Sequence, residues 1–187
     1  MQSLYDVPAP AKLNLFLHII GRRKDGYHLL QSVFMLIDWS DRLHFELRTD
    51  GNISREDLTW QLPDDDLVLK AARALQVATG CTLGAHIQVE KSIPAQAGMG
   101  GGSSDAASAM LALNRLWKLN LTRTQLREIG IGLGADVPFF LKGRNAWVEG
   151  IGEQITPIAI PSEQFVVAKP IAGLDTRQIF SDPDLKR

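Results

Sequence analysis

At 187 residues and 45% hydrophobic composition, the chain is long enough to bury a core and build one sizeable domain. A net charge of −1 carries no footprint for nucleic acid or an anionic membrane surface, so an anionic ligand would have to be met by local basic residues. Cys81 stands alone, which excludes an internal disulfide and fits a reducing compartment.

The opening MQSLYDVPAPAK has neither the basic nor the apolar region of a secretory signal, and no apolar run approaches the roughly 18 residues of a membrane span. A globular, cytoplasmic chain is expected, with no membrane or nucleic-acid partner. Residues 11–20 (AKLNLFLHII) alternate as a strand, with Leu13, Leu15, Leu17 and Ile19 on one face and Lys12, Asn14, Phe16 and His18 on the other. Lys12 and Asn14 there are either edge decoration or the lining of a polar site. Gly21 ends the strand, and a basic loop with an Asp25–Gly26 turn leads to Tyr27 and His28, a pair equally suited to a half-buried strand start.

Residues 29–39 read as a second strand, Asp41 as a turn, and residues 43–47 as a third strand closing a hairpin. The polar stretch 51–66 is expected to be loop with a short edge strand. Residues 67–79 carry apolar side chains at helical spacing and end at Gly80. Residues 83–91 alternate again, 104–116 form an alanine-rich helix, and Thr122 with Gln125 makes a capping box for a short helix reaching Gly130. VPFFL after Asp136 reads as an apolar strand, and residues 145–149 and 164–169 as two more. There is no internal repeat or low-complexity segment. Leading strands followed by mixed helices and strands give an α+β fold.

The densest signal is PAQAGMGGGSSDAA, residues 94–107. Its glycines permit positive φ and a close backbone approach to a ligand. Ser103 and Ser104 stand where a helix would begin, as caps and hydroxyl donors. Such a loop collects unpaired N–H groups and the positive dipole end, which suits a phosphate. A P-loop would need GxxxxGK[ST], yet no lysine follows; a dinucleotide fingerprint would need glycine where Ser103 stands. Protein-kinase HRD and DFG motifs are absent from the sequence.

Asp136, between small residues and an apolar run, is either a turn aspartate bonding its own backbone or a partly desolvated carboxylate that needs a partner. Paired with Lys12 beside a phosphate loop, it supplies the parts for phosphoryl transfer to a hydroxyl.

PxxxGxGGGSS resembles the phosphate-binding loop of the GHMP kinases, with Met99 where leucine is usual. PAKLNLFLHIIGRRKDGYH and GLGADVPFFLKGRNAWVEGIGE narrow the resemblance to the branch acting on diphosphocytidyl methylerythritol in non-mevalonate isoprenoid biosynthesis. The resemblance implies a GHMP-kinase N-terminal domain, ribosomal S5 domain 2-like, over residues 1–165. Residues 166–187 would then open a ferredoxin-like C-terminal domain that is largely absent from this chain. It further implies weak or no kinase activity for the chain alone, and exposed apolar surface.

By the same resemblance Asp136 is the catalytic base and Lys12 its cationic partner. Pro94, Ala95, Gln96, Ala97, Gly98, Met99, Gly100, Gly101, Gly102, Ser103 and Ser104 wrap the ATP phosphates. Asn14, Tyr27, His28, Thr176 and Phe180 hold the diphosphocytidyl substrate. Asp66, Leu67, Lys91 and Asp105 lie on the adenine side, where Asp66 and Asp105 depart from the usual DNLxxxA segment and from a common asparagine. ATP is the implied co-substrate, with Mg2+ expected to bridge its phosphates; the resemblance assigns that ion no protein ligand, and a Ser103 or Ser104 hydroxyl is one candidate. Other GHMP small-molecule kinases and a non-catalytic nucleotide-binding module share parts of this pattern. An RNA-binding S5-like domain shares the layout but would need a basic face.

Overall fold

The computed structural model describes residues 2–170, Ile179 and Asp182. Two long antiparallel strands, β1 (Ser3–Arg22) and β2 (His28–Arg48), form its frame. β1 runs beyond both ends of the stretch expected from alternation and passes four register irregularities on the way. β2 is one continuous strand of 21 residues, so Asp41 is not a turn and residues 43–47 are not a separate strand. The hairpin is made instead by β1 and β2, around the Asp25–Gly26 turn, where Gly26 takes φ 92°. An aspartate inside a strand is tolerated here because its buried carboxylate is met by Lys91 and by the N–H groups of Ser92 and Ile93.

β2 pairs with two further strands at its two ends. Its C-terminal third runs antiparallel to β4 (Gly84–Glu90), and its N-terminal part runs antiparallel to β5 (Ala146–Gly150). The short edge strand β3 (Ile53–Asp57) lies parallel to β4, and β6 (Gln154–Pro157), which the sequence pattern did not announce, closes the other edge beyond β5. Residues 158–170 form no strand, against the expectation for 164–169. QFVVAK has strand-like composition but no ladder to join, and Val166 is fully exposed.

Helices cover one face of the sheet. α1 (Leu67–Thr79) starts at Asp66, whose carboxylate accepts from the Leu69 N–H at 3.1 Å, and stops at Gly80 in the left-handed region, φ 65°. α2 (Gly101–Leu116) begins three residues earlier than expected: Gly100, φ 72°, is its N-cap, and Ser103 and Ser104 lie inside its first turn. The Ser104 hydroxyl is spent on the Pro10 carbonyl at 2.7 Å, and Ser108 binds Pro8 O at 2.9 Å; together they tie α2 to β1. Ala106, Ala107, Ala109 and Ala112 are buried in the same helix and allow the close approach that these bonds require.

α3 (Arg123–Ile131) starts with the expected capping box of Thr122 and Gln125. Val137–Lys142 is the helix α4, not a strand: Pro138 sits in its first turn, where its missing N–H costs nothing, and Gly143, φ 65°, ends it. The core between the layers is built from Leu43, Phe45 and Ile87 of the sheet against Leu75, Met110, Leu113 and Phe139 of the helices. Leu15, Leu17 and Ile20 of β1 are exposed. No helix among the described residues is long and apolar enough to cross a membrane.

Candidate active site

Three separated segments meet at the N-terminus of α2. The first is β1, where the Lys12 backbone N–H donates to Met99 O at 3.0 Å and so ties the strand to the glycine loop. The second is the loop itself, with Gln96, Gly98 and Gly100 at φ 53°, 71° and 72°. The third is the turn before α4: a Cβ on Gly134 would lie 3.5 Å from the Ser103 hydroxyl, and Asp136 caps the helix behind it.

Lys12 is buried, with its ammonium at the junction of these segments. Its Nζ lies 3.5 Å from Asp136 Oδ2, donates to Asn14 Oδ1 at 2.8 Å, and sits 4.5 Å from the centroid of the Phe34 ring. Burial pulls the ammonium below its ordinary pKa, while the Asp136 charge opposes the shift. Asp136 keeps 28% of its side chain exposed and makes no capping bond, so one face of the carboxylate is open to an incoming group. Phe139 and Phe140 of α4 pack behind the pair, and Phe34 meets Phe139 edge-on at 5.2 Å.

Gly100 is required on two counts. Its left-handed conformation strains any other residue, and a Cβ there would come within 2.7 Å of the Phe140 ring and 3.4 Å of Lys12 Cε. Met99 points its side chain inward with Ala11 and Ile93, so the loop offers backbone and not side chain at that position.

Beside the loop lies an open cavity of about 430 Å³. Pro94 through Ser103 form one wall, and Asp66, Leu67, Lys91 and Asp105 line it together with Trp60, Leu62 and Pro63. Ser104, buried and bonded to Pro10 O, is not in that lining. Asp66 is held by Arg55 at 2.9 Å as well as by the helix it caps. Lys91 donates to Asp105 Oδ2 at 2.5 Å and to Asp41 Oδ2, all three being buried.

The structure therefore brings together Lys12, Asn14, Asp136 and the glycine loop, and sets Asp66, Leu67, Lys91 and Asp105 around the adjoining cavity. Tyr27 and His28 lie apart from that cavity at the other end of the β1–β2 hairpin, Tyr27 exposed and His28 buried. Thr176 and Phe180 lie outside the described residues. Phe34 and Asp41 were not picked out from sequence. An aspartate inside the strand-like run LIDWSDRLHF is the signal that would have marked Asp41.

Residues 66–144 match the family described as GHMP kinases N terminal domain. The whole chain is 72% identical to the 4-diphosphocytidyl-2-C-methyl-D-erythritol kinase of Variovorax paradoxus, covering 63% of it, and 71% identical to that of Paracidovorax citrulli, covering 67%. It thus spans about two thirds of the length of these curated relatives. A crystal structure of 4-(cytidine 5'-diphospho)-2C-methyl-D-erythritol kinase superposes with a TM-score of 0.73 at 41% identity, over 82% of this chain and 55% of that one. The glycine loop, the buried lysine and the α4 aspartate thus sit in a fold shared with that enzyme, and the chain belongs to the 4-diphosphocytidyl-2-C-methyl-D-erythritol kinase family of the GHMP kinases.

Proposed function

We propose that the chain supplies the ATP-binding and phosphoryl-transfer half of a small-molecule kinase acting on the 2-hydroxyl of 4-diphosphocytidyl-2-C-methyl-D-erythritol. The observation that carries the reading is the 3.5 Å approach of Lys12 Nζ to Asp136 Oδ2 at the mouth of the glycine loop. Phosphoryl transfer asks mainly for positioning and for positive charge where negative charge develops. The backbone N–H groups of the loop and the N-terminus of α2 would hold the ATP phosphates, with the Lys12 ammonium beside the transferred group. The open face of Asp136 would orient the acceptor hydroxyl and take its proton as the O–P bond forms and ADP leaves. Asn14, hydrogen-bonded to Lys12, would steady the ammonium and face the substrate.

Magnesium would arrive with ATP. Among the described residues there is no cluster of three or more acidic, histidine or cysteine ligands, which suits an ion held largely by phosphate oxygens and water. The Ser103 hydroxyl, against the Gly134 turn, is the protein ligand at hand; Ser104 is already bonded to Pro10 O. Residues 1–165 would constitute the nucleotide-binding unit, and a cytoplasmic setting accords with the lone free Cys81. Tyr27 and His28, at the far end of the hairpin, would serve the cytidylyl end of an extended substrate.

An acceptor panel tests the reading. With ATP, the chain joined to the remaining third of a curated relative should phosphorylate 4-diphosphocytidyl-2-C-methyl-D-erythritol and leave homoserine and mevalonate untouched, while the chain alone should show weak turnover or none. Preference for either of those acceptors would overturn the substrate assignment. ATP binding with no turnover on any acceptor, even by the chain joined to the remaining third of a curated relative, would favour the non-catalytic nucleotide-binding module.

A further inference from the structure

Beneath the glycine loop lies a charge cluster that phosphoryl transfer itself does not call for. Asp41 comes from within β2, Lys91 from just after β4, and Asp105 from the second turn of α2. Asp41 is fully buried. Its Oδ2 accepts from Lys91 Nζ, and its Oδ1 accepts from the backbone N–H groups of Ser92 at 2.5 Å and Ile93 at 2.8 Å. Lys91 Nζ also donates to Asp105 Oδ2 at 2.5 Å. The loop rests directly on this cluster: a Cβ on Gly101 would sit 3.4 Å from Lys91 Nζ and 3.5 Å from Asp41 Oδ2.

The charges do not balance as drawn. Two carboxylates face one ammonium, in a dry place beside a cavity suited to a polyanion, and an uncompensated buried charge is costly. Asp105 Oδ1 is buried with no hydrogen-bond partner, while every Asp41 oxygen is served. One proton on the pair restores neutrality.

We propose that Asp41 is a positioning residue of the nucleotide site: ionised beside an Asp105 carboxyl that carries the proton, it holds Lys91 and the Ser92–Ile93 backbone in place under the glycine loop. The inference rests on reading the adjoining cavity as the nucleotide site. Burial and the Asp41 charge push the Asp105 carboxyl up to about 7, with Lys91 opposing them, in keeping with a proton held near neutrality. The other charged groups around the cluster are already engaged: Asp66 at the start of α1 by Arg55 of β3, and Lys12 of β1, across Gly100, by Asp136. Loss of the proton would leave a net negative charge next to the triphosphate, so affinity should fall as pH rises through neutrality.

Carboxyl-carbon NMR of aspartate-labelled chain, titrated from pH 4 to 9, tests the Asp105 proton without nucleotide. The Asp105 carboxyl should titrate near neutrality, and Asp41→Asn, by removing a charge that raises it, should move that midpoint to lower pH. An Asp105 carboxyl titrating in the ordinary carboxylate range would overturn the proposal.

Calorimetry with ATP tests the positioning role. Asp41→Asn should weaken binding about tenfold or more at neutral pH, since with its one oxygen kept on the Ser92 and Ile93 N–H groups its NH2 would face the Lys91 ammonium where the second carboxylate oxygen accepted. Between pH 6 and 8 the native chain should lose affinity more steeply than Asp105→Asn. The γ-phosphate's own titration is common to both and cancels in the comparison. Identical pH profiles for the two, or unchanged affinity in Asp41→Asn, would overturn it. Should Asp41→Asn fail to fold, the native titration and the Asp105→Asn profile still decide. No ATP binding at millimolar concentration, alongside an Asp105 carboxyl titrating near neutrality, would overturn the nucleotide reading and the positioning role with it, and would support the Asp105 proton alone.

Discussion

Lys12 and Gly100 define the site at the scale of single residues. An ammonium buried between a carboxylate, an amide and an aromatic face is pre-placed, so little reorganisation is left for the moment of reaction. Gly100 keeps the loop close enough to Lys12 for the two to act on one phosphate, and its backbone conformation suits no other residue well. Gly100→Ala should therefore cost roughly 1–3 kcal/mol of stability, from φ strain and the Phe140 overlap, and should weaken ATP binding more than the stability loss explains. Chemical denaturation and ATP titration of the same variant check both parts. A variant as stable and as tight as the parent would show that the loop relaxes freely.

Among the elements, those with local signals were legible in the sequence. α1 announced its C-terminal end through Gly80, and α3 its start through Thr122 and Gln125, because capping is decided by residues within one turn of the terminus; the Asp66 cap of α1 was not read from the acidic run that holds it. Thr122→Ala should accordingly cost about 1 kcal/mol in denaturant unfolding, with no change in ATP affinity. Where tertiary context decides, local pattern misled. Asp41 looks like a turn until Lys91 and two backbone N–H groups arrive from β4 and its following loop to pair it. VPFFL has the composition of a strand, yet Pro138 and Gly143 bracket a helix whose aromatic residues fill the space behind Lys12. Residues 164–169 have the right alternation and no neighbour to pair with. Lys12, Asp136 and the glycine loop could be named from sequence because their residue types carry the chemistry. The cluster under the loop could not be assembled, because its three members lie far apart in the chain and meet only through folding.

At the scale of the whole molecule, the sheet and its helical layer bring β1 and the α4 turn against the glycine loop that walls the cavity, and leave Leu15, Leu17 and Ile20 of β1 exposed. The same packing makes stability depend on pH through Asp105. Its folded pKa, about 7, lies above its ordinary value of 3.8, so its contribution is complete below about 4 and is lost as pH rises through 7. Asp105→Asn should remove that loss. Its stability relative to the parent should rise between pH 5 and 8, by an amount on the order of a few kcal/mol, in denaturant unfolding at the two pH values. A constant difference would place the Asp105 proton elsewhere. Everything assigned to the site nevertheless turns on Lys12 and Asp136 acting as one unit on the acceptor hydroxyl. The direct measurement is steady-state turnover and ATP affinity of Asp136→Asn in the chain joined to the remaining third of a curated relative. Turnover should fall on the order of a hundredfold or more while ATP affinity stays within a few-fold; turnover close to that of the parent would contradict the account.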